Sequence, residues 1–111
     1  MPPTTTLEEI ATWAAKTSPE WPATSVTPAI HAIKDTVACM VSGATDAAAE
    51  GVRRTVHTWP AVDGGATIVG SGRCAPAPFA AFANGTAAHA QDFDDNFLAA
   101  LTHASAVLVP A

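Results

Sequence analysis

Alanine is the commonest apolar residue of this 111-residue chain, and that feature constrains the fold most. Hydrophobic residues make up 49% of the sequence and charged residues only 14%, so the chain has to bury much of its surface. Alanine favours closely packed helices but contributes little core volume. The sequence therefore predicts an all-α fold, a helical bundle in which a few large anchors matter most: Trp13, Trp21, Trp59, Phe79 and Phe82.

Length and charge narrow the organisation and the partners. We expect residues 1–111 to form a single helical domain, or part of one. The net charge of −5, with only five Lys and Arg, argues against a nucleic-acid surface. No apolar run approaches the ~20 residues that cross a bilayer, and residues 1–9 lack a basic and an apolar leader region. These features predict a cytoplasmic protein with no membrane partner.

The first helix is predicted from a capping box. Thr6 and Glu9 have the spacing at which the threonine hydroxyl accepts from the amide of Glu9 and the carboxylate reaches back. The helix should therefore begin at Leu7, and the prolines that follow should end it near Lys16.

The second helix has the clearest periodicity. Thr27 before Pro28 predicts its start, because proline is tolerated at the first helical position, and Gly43 predicts its end. Apolar residues recur on one face at helical spacing, which predicts that this face is buried. They are Ile30, Ile33, Val37, Met40 and Val41.

The rest of the chain reads as shorter elements. Thr45 and Asp46 start a third helix with Val52, Val56 and Trp59 on one face. A turn at 63–65, a β-prone run at 66–69 and the glycines around Ser71 predict a short hairpin or extended arm. The pair at 84–85, Asn-Gly, predicts a break between two short helices.

Polar residues then crowd into one window. Residues 84–96 read NGTAAHAQDFDDN and are followed by THAS at 102–105. Three of the ten acidic residues fall at 92–95, between His89 and His103. Neighbouring carboxylates raise one another's pKa, so clusters of them often mark a site where water, a cation or a reaction needs them.

At this window the chain resembles the MmgE/PrpD family, which includes 2-methylcitrate dehydratase and cis-aconitate decarboxylase. The family pattern is NGxxxHxxDFDDT, followed after a short loop by HPS. Upstream, KDT at 34–36, VSG at 41–43 and the glycines near Arg73 also match. The resemblance implies the amino-terminal part of a mostly helical domain in a cofactor-independent, metal-free lyase or isomerase. The substrate is expected to be a small di- or tricarboxylate, and dehydration, decarboxylation and epimerisation all stay open.

The resemblance also assigns residues. The family's active-site aspartate and histidine fall on Asp92 and His103, which are expected to be catalytic, with His103 as general acid or base. Asn96, Asp95 and His89 are expected to contact the substrate. Asn96 replaces the family threonine, and Ala104 the proline of HPS. By the resemblance, the family's further histidine, lysine and tyrosine lie beyond the end of this sequence. We therefore expect a fragment or truncated form of the enzyme that is incomplete alone, with a homo-oligomer or a complementing chain as its partner.

Three other hypotheses compete with the enzyme. The acidic residues could cap and solvate a loop while the histidines satisfy backbone groups. The helices could form a non-catalytic interaction or oligomerisation module with exposed apolar surface. Finally, His89, Asp92, Asp94 and His103 offer nitrogen and oxygen ligands that could hold a metal.

Overall fold

The computed structural model describes residues 4–60 and 64–111. These ranges contain five helices and one β-hairpin. The predicted helical fold with a short hairpin is confirmed. In chain order the elements are α1 (Thr6–Lys16), α2 (Ala23–Gly43), α3 (Ala47–Val56), β1 (Ala66–Ile68), β2 (Arg73–Ala75), α4 (Ala77–His89) and α5 (Ala104–Leu108). Within the described ranges, no helix combines the length and apolarity needed to cross a bilayer.

Helix α1 is capped one residue earlier than predicted. The Thr5 hydroxyl accepts from the Glu8 amide at 3.3 Å, and the Glu8 carboxylate accepts from the Thr5 amide at 2.7 Å. The capping box at Thr6 and Glu9 was therefore wrong. Tandem threonines and tandem glutamates offer the same spacing in two registers, so spacing alone does not choose between them. The predicted end at Lys16 is confirmed.

Helix α2 starts well before the predicted position. Its N-cap is Pro22, and the Val26 amide donates to the Pro22 carbonyl at 3.1 Å. Pro28 therefore lies inside the helix, and the predicted start at Thr27 was wrong. Proline this close to the amino terminus removes one helical hydrogen bond, which a 21-residue helix tolerates. The end at Gly43 is as predicted.

The apolar face predicted for α2 is mostly solvent-exposed. Met40 is buried, but the other members of that face are 44–62% exposed: Ile30, Ile33, Val37 and Val41. Burial instead follows Thr36, Met40 and Gly43, the face that packs on α4. A Cβ at Gly43 would collide with the Ala87 carbonyl oxygen. Close approach to an alanine-rich helix selects small residues, so hydrophobicity alone identified the wrong face.

Helix α4 is continuous through Asn84 and Gly85, so the predicted break was wrong. The Asn84 amide group accepts from the Val69 amide and donates to the Thr67 carbonyl, both at 2.9 Å. A Cβ at Gly85 would lie 2.8 Å from the Ala106 carbonyl oxygen. The two residues serve tertiary contacts with the hairpin and α5, which outweigh their poor helix propensity.

The hairpin and α3 complete the core. Strands β1 and β2 pair antiparallel, and the turn between them has positive φ at Gly70 and Gly72. The predicted turn at 63–65 lies partly outside the described residues. Helix α3 starts beside Asp46, as predicted, and the Asp46 carboxylate caps it by accepting from the Ala48 amide at 2.9 Å. One buried cluster joins these elements to α4: Val56, Ile68, Ala75, Ala80 and Ala83.

Candidate functional site

Four titratable side chains converge where α4 ends and α5 begins. His89 closes α4, Asp92 and Asp94 lie in the following loop, and His103 is the N-cap residue of α5. Each residue can place one nitrogen or oxygen atom so that all four atoms lie within 4.8 Å of one another. The helix ends and the loop therefore form one polar cluster, which we call the His–Asp quartet.

The loop backbone turns sharply to make this possible. Asp92 has φ +55°, in the left-handed region, and its amide donates to the His89 carbonyl at 3.1 Å. Aspartate enters this region more readily than most side chains. Further along, the Phe97 amide donates to the Thr102 carbonyl at 2.8 Å, which closes the loop and places His103 opposite the carboxylates.

Asp94 lies at the centre of the quartet and its side chain is fully buried. Its Oδ1 is 3.0 Å from His89 Nδ1, and because an ionised carboxylate only accepts, the His89 nitrogen donates. Its Oδ2 lies 3.4 Å from His103 Nδ1, although the angle does not make a hydrogen bond. Asp94 thus contacts both imidazoles from the buried side of the site, away from solvent.

His103 lies between the two carboxylates. Its Nε2 is 3.7 Å from Asp92 Oδ1, whereas its Nδ1 is the nitrogen next to Asp94. The His103 side chain is 25% exposed and that of Asp92 is 77% exposed, so the Nε2 side of the ring faces solvent. The structure therefore brings together the two residues that the sequence predicts to be catalytic.

The three residues expected to contact substrate lie in different surroundings. His89 belongs to the quartet. Asp95 uses Oδ1 to accept from the Ser105 amide at 3.1 Å, which caps the start of α5. Asn96 is exposed, and no side-chain hydrogen bond joins it to the described part of the chain. Only His89 is thus held against the predicted catalytic pair.

An open groove of about 930 Å³ runs beside the quartet. His89 and His103 line it, together with apolar side chains that include Pro78, Phe82 and Val107. No lysine or arginine lies among its described lining residues. A small molecule in this groove would contact both imidazoles. A negatively charged molecule would need lysine or arginine side chains that the described lining does not supply.

The comparison with known families decides the affiliation. The model of the MmgE/PrpD N-terminal domain matches residues 8–111, nearly the whole chain. The chain belongs to the MmgE/PrpD family. No curated protein and no solved structure matches it.

Asp94 is the site residue of this MmgE/PrpD chain that the sequence does not single out. Its sequence position suggests only a metal ligand or a loop cap, whereas the structure places it against both histidines. The pattern Asp-Phe-Asp-Asp contains it, but three aspartates within four positions look equivalent in sequence. The burial of Asp94 against His89 depends on tertiary packing, so the sequence pattern around it does not predict it.

The Asp94 contact also changes the ionisation of His89. The hydrogen bond to Asp94 raises the pKa of His89, the charges of Asp94 and Asp92 add to the rise, and desolvation opposes it. In Asp94→Asn we expect the pKa of His89 to fall, measured from its ring proton resonances by NMR titration in metal-free buffer. Asp35→Asn, which removes an exposed carboxylate on α2, is the control and should leave the pKa of His89 in place.

This pKa shift has a defined consequence for stability. Because the pKa of His89 is raised in the folded state, the stabilisation is full below the unfolded value, about 6.5, and is lost as pH rises through the raised value. Asp94→Asn should remove most of this pH dependence, because the smaller contribution of Asp92 remains. The effect is small, because the His89 side chain is 51% exposed and solvent screens the pair. A pKa of His89 that is unchanged in Asp94→Asn would contradict the contact.

Proposed function

We propose that this chain supplies the acid–base groups of a cofactor-independent lyase or isomerase that acts on small di- or tricarboxylates. Membership of the MmgE/PrpD family supports the reaction class. The observation that most supports the acid–base role is the position of His103. One of its ring nitrogens lies next to buried Asp94, and the other lies toward exposed Asp92 and solvent. With the buried carboxylate next to Nδ1, the other ring nitrogen, Nε2, is the one that can exchange a proton with a substrate.

In a dehydration, His103 would act at its solvent-facing Nε2. The nitrogen takes the proton from the carbon beside a substrate carboxylate, the electron pair of that C–H bond forms the carbon–carbon double bond, and the C–O bond breaks. The departing hydroxide takes up the proton that His103 has just accepted and leaves as water, which returns His103 to its neutral form. Asp92, 3.7 Å from Nε2, would hold the substrate hydroxyl, and Asp94 would keep the ring in place.

A decarboxylation would use the same groups differently. The bond between the carboxylate and its carbon breaks, carbon dioxide leaves, and the electron pair remaining on carbon accepts a proton from imidazolium His103. His89 lies with its ring centroid 4.4 Å from that of His103. It would therefore contact substrate from the groove side.

The substrate carboxylates require positive charge that the described groove lining does not provide. We therefore propose that the cations come from a second copy of the chain or from a complementing chain, so that the working site is shared. The domain itself would correspond to the amino-terminal part of the family's helical domain.

An interaction module is the second candidate, and the exposed face of α2 favours it. Ile33 and Val41 are 51% and 62% exposed on a helix whose opposite side packs on α4. Apolar surface of this kind is typical of sites that bind another protein surface. In that case the quartet would serve only local structure.

The test is proton NMR of the native protein with citrate, 2-methylcitrate and cis-aconitate in deuterated buffer. Dehydration, decarboxylation and exchange of a carbon-bound proton for deuterium each give a separate signal change. We expect one of these reactions without any added cofactor. Absence of all three, together with no carboxylate-induced shift of the His89 and His103 resonances, would contradict the proposed function.

A further inference from the structure

We propose that the His–Asp quartet also binds a divalent transition-metal ion such as Zn²⁺, and that this ion blocks the acid–base site. The inference rests on the proposed function for its regulatory consequence, but the metal binding itself is independent of catalysis. The donor set is two imidazoles and two carboxylates within 4.8 Å of one another.

The donor chemistry selects the class of metal. Imidazole suits zinc and its first-row neighbours, whereas magnesium and calcium prefer all-oxygen sites. Ligands around tetrahedral zinc lie about 3.4 Å apart, given bond lengths of about 2.1 Å. The quartet is therefore slightly too open, and a small side-chain movement would close it. Asp92 can make that movement, because its side chain is 77% exposed.

Two further features favour a cation here. The carboxylate of Asp94 is fully buried, and its ionic contacts in the described chain are to the imidazoles of His89 and His103 rather than to lysine or arginine. In addition, Nδ1 of His103 is buried without a hydrogen-bond partner. A buried carboxylate and an unpaired ring nitrogen both gain from a metal ion.

An ion can also reach the quartet, since His89 and His103 line the open groove. A neutral imidazole that binds a metal through Nδ1 carries its ring proton on Nε2. Nε2, the nitrogen proposed to act on the substrate, then has no electron pair left to accept a proton. Zinc in the quartet would consequently stop proton transfer at His103 instead of assisting it. The ion would act as a reversible inhibitor that competes with substrate for the groove.

The test is isothermal calorimetry of the metal-free protein with Zn²⁺ in the absence of substrate, with Co²⁺ absorption as a second readout of coordination. We expect one ion per chain. Asp92→Asn should weaken binding about 10–100-fold, the range seen when even an outer partner of a metal ligand is lost. Asparagine keeps the shape of the side chain and tolerates positive φ, so this variant should fold.

Asp94→Asn should weaken Zn²⁺ binding at least as much, with its fold checked by circular dichroism. The matched control is His31→Gln, which removes an exposed histidine of α2 outside the quartet and should leave the affinity unchanged. No saturable Zn²⁺ binding, or equal losses in Asp92→Asn and His31→Gln, would overturn the proposal. Saturable Zn²⁺ binding by a protein whose metal-free form has no activity on the carboxylates would instead contradict only the proposed function.

Discussion

Replacing His103 with glutamine should lower kcat for the carboxylate reaction by about 10²- to 10⁴-fold, the usual contribution of a positioned general acid or base. Glutamine has similar length and can hydrogen-bond, but it does not titrate. In the proposed mechanism His103 carries a proton between substrate and protein, and its contacts with Asp92 and Asp94 support that role. Steady-state kinetics would measure the loss, and KM should change little.

His31→Gln is the matched control for the kinetics, since it exchanges the same residue types at an exposed position on α2. It should retain the activity of the unsubstituted protein. If His103→Gln keeps its rate within about threefold while only its stability changes, His103 is not the acid or base. The interaction module would then be the better account of the chain.

The helical elements were predictable because their signals are local. Asp46 capping α3, Gly43 ending α2 and Lys16 ending α1 are all decided by residues within one turn. The errors arose where a distant contact overrides the local signal. Asn84 and Gly85 look like a break, yet the hairpin and α5 use them as contact points within a continuous helix.

The candidate site shows the same difference between local signals and tertiary contacts. A short family motif predicts Asp92 and His103 as site residues, and in the structure Asp92 Oδ1 lies 3.7 Å from His103 Nε2. The arrangement of the remaining aspartates was not predictable, because Asp94 is buried and Asp95 caps α5 only after the loop has folded. Sequence spacing identified the carboxylates, and tertiary structure separated their roles.

Gly43→Ala should destabilise the protein by about 2 kcal/mol. Alanine gains about 1 kcal/mol over glycine in a helix, but its Cβ would collide with the Ala87 carbonyl oxygen of α4. Overpacking typically costs about 1–3 kcal/mol, and a rigid backbone partner favours the upper end. The substitution would also press on the Ala90 Cβ, 3.3 Å away and next to His89, so it should disturb the quartet. Urea denaturation followed by circular dichroism would measure the change.

Gly51→Ala provides the opposite expectation at a matched residue type. Gly51 lies inside α3, and the nearest neighbour of an added Cβ is the flexible Arg54 Nη2 at 3.8 Å. This variant should therefore be stabilised by about 0.5–1 kcal/mol, the helix-propensity difference alone. Opposite signs for the two glycines would show that α2 and α4 meet through their backbones at Gly43. Stabilisation of both variants would mean that α2 and α4 lie farther apart at Gly43 than the structure shows. The position of His89 would then not depend on this contact.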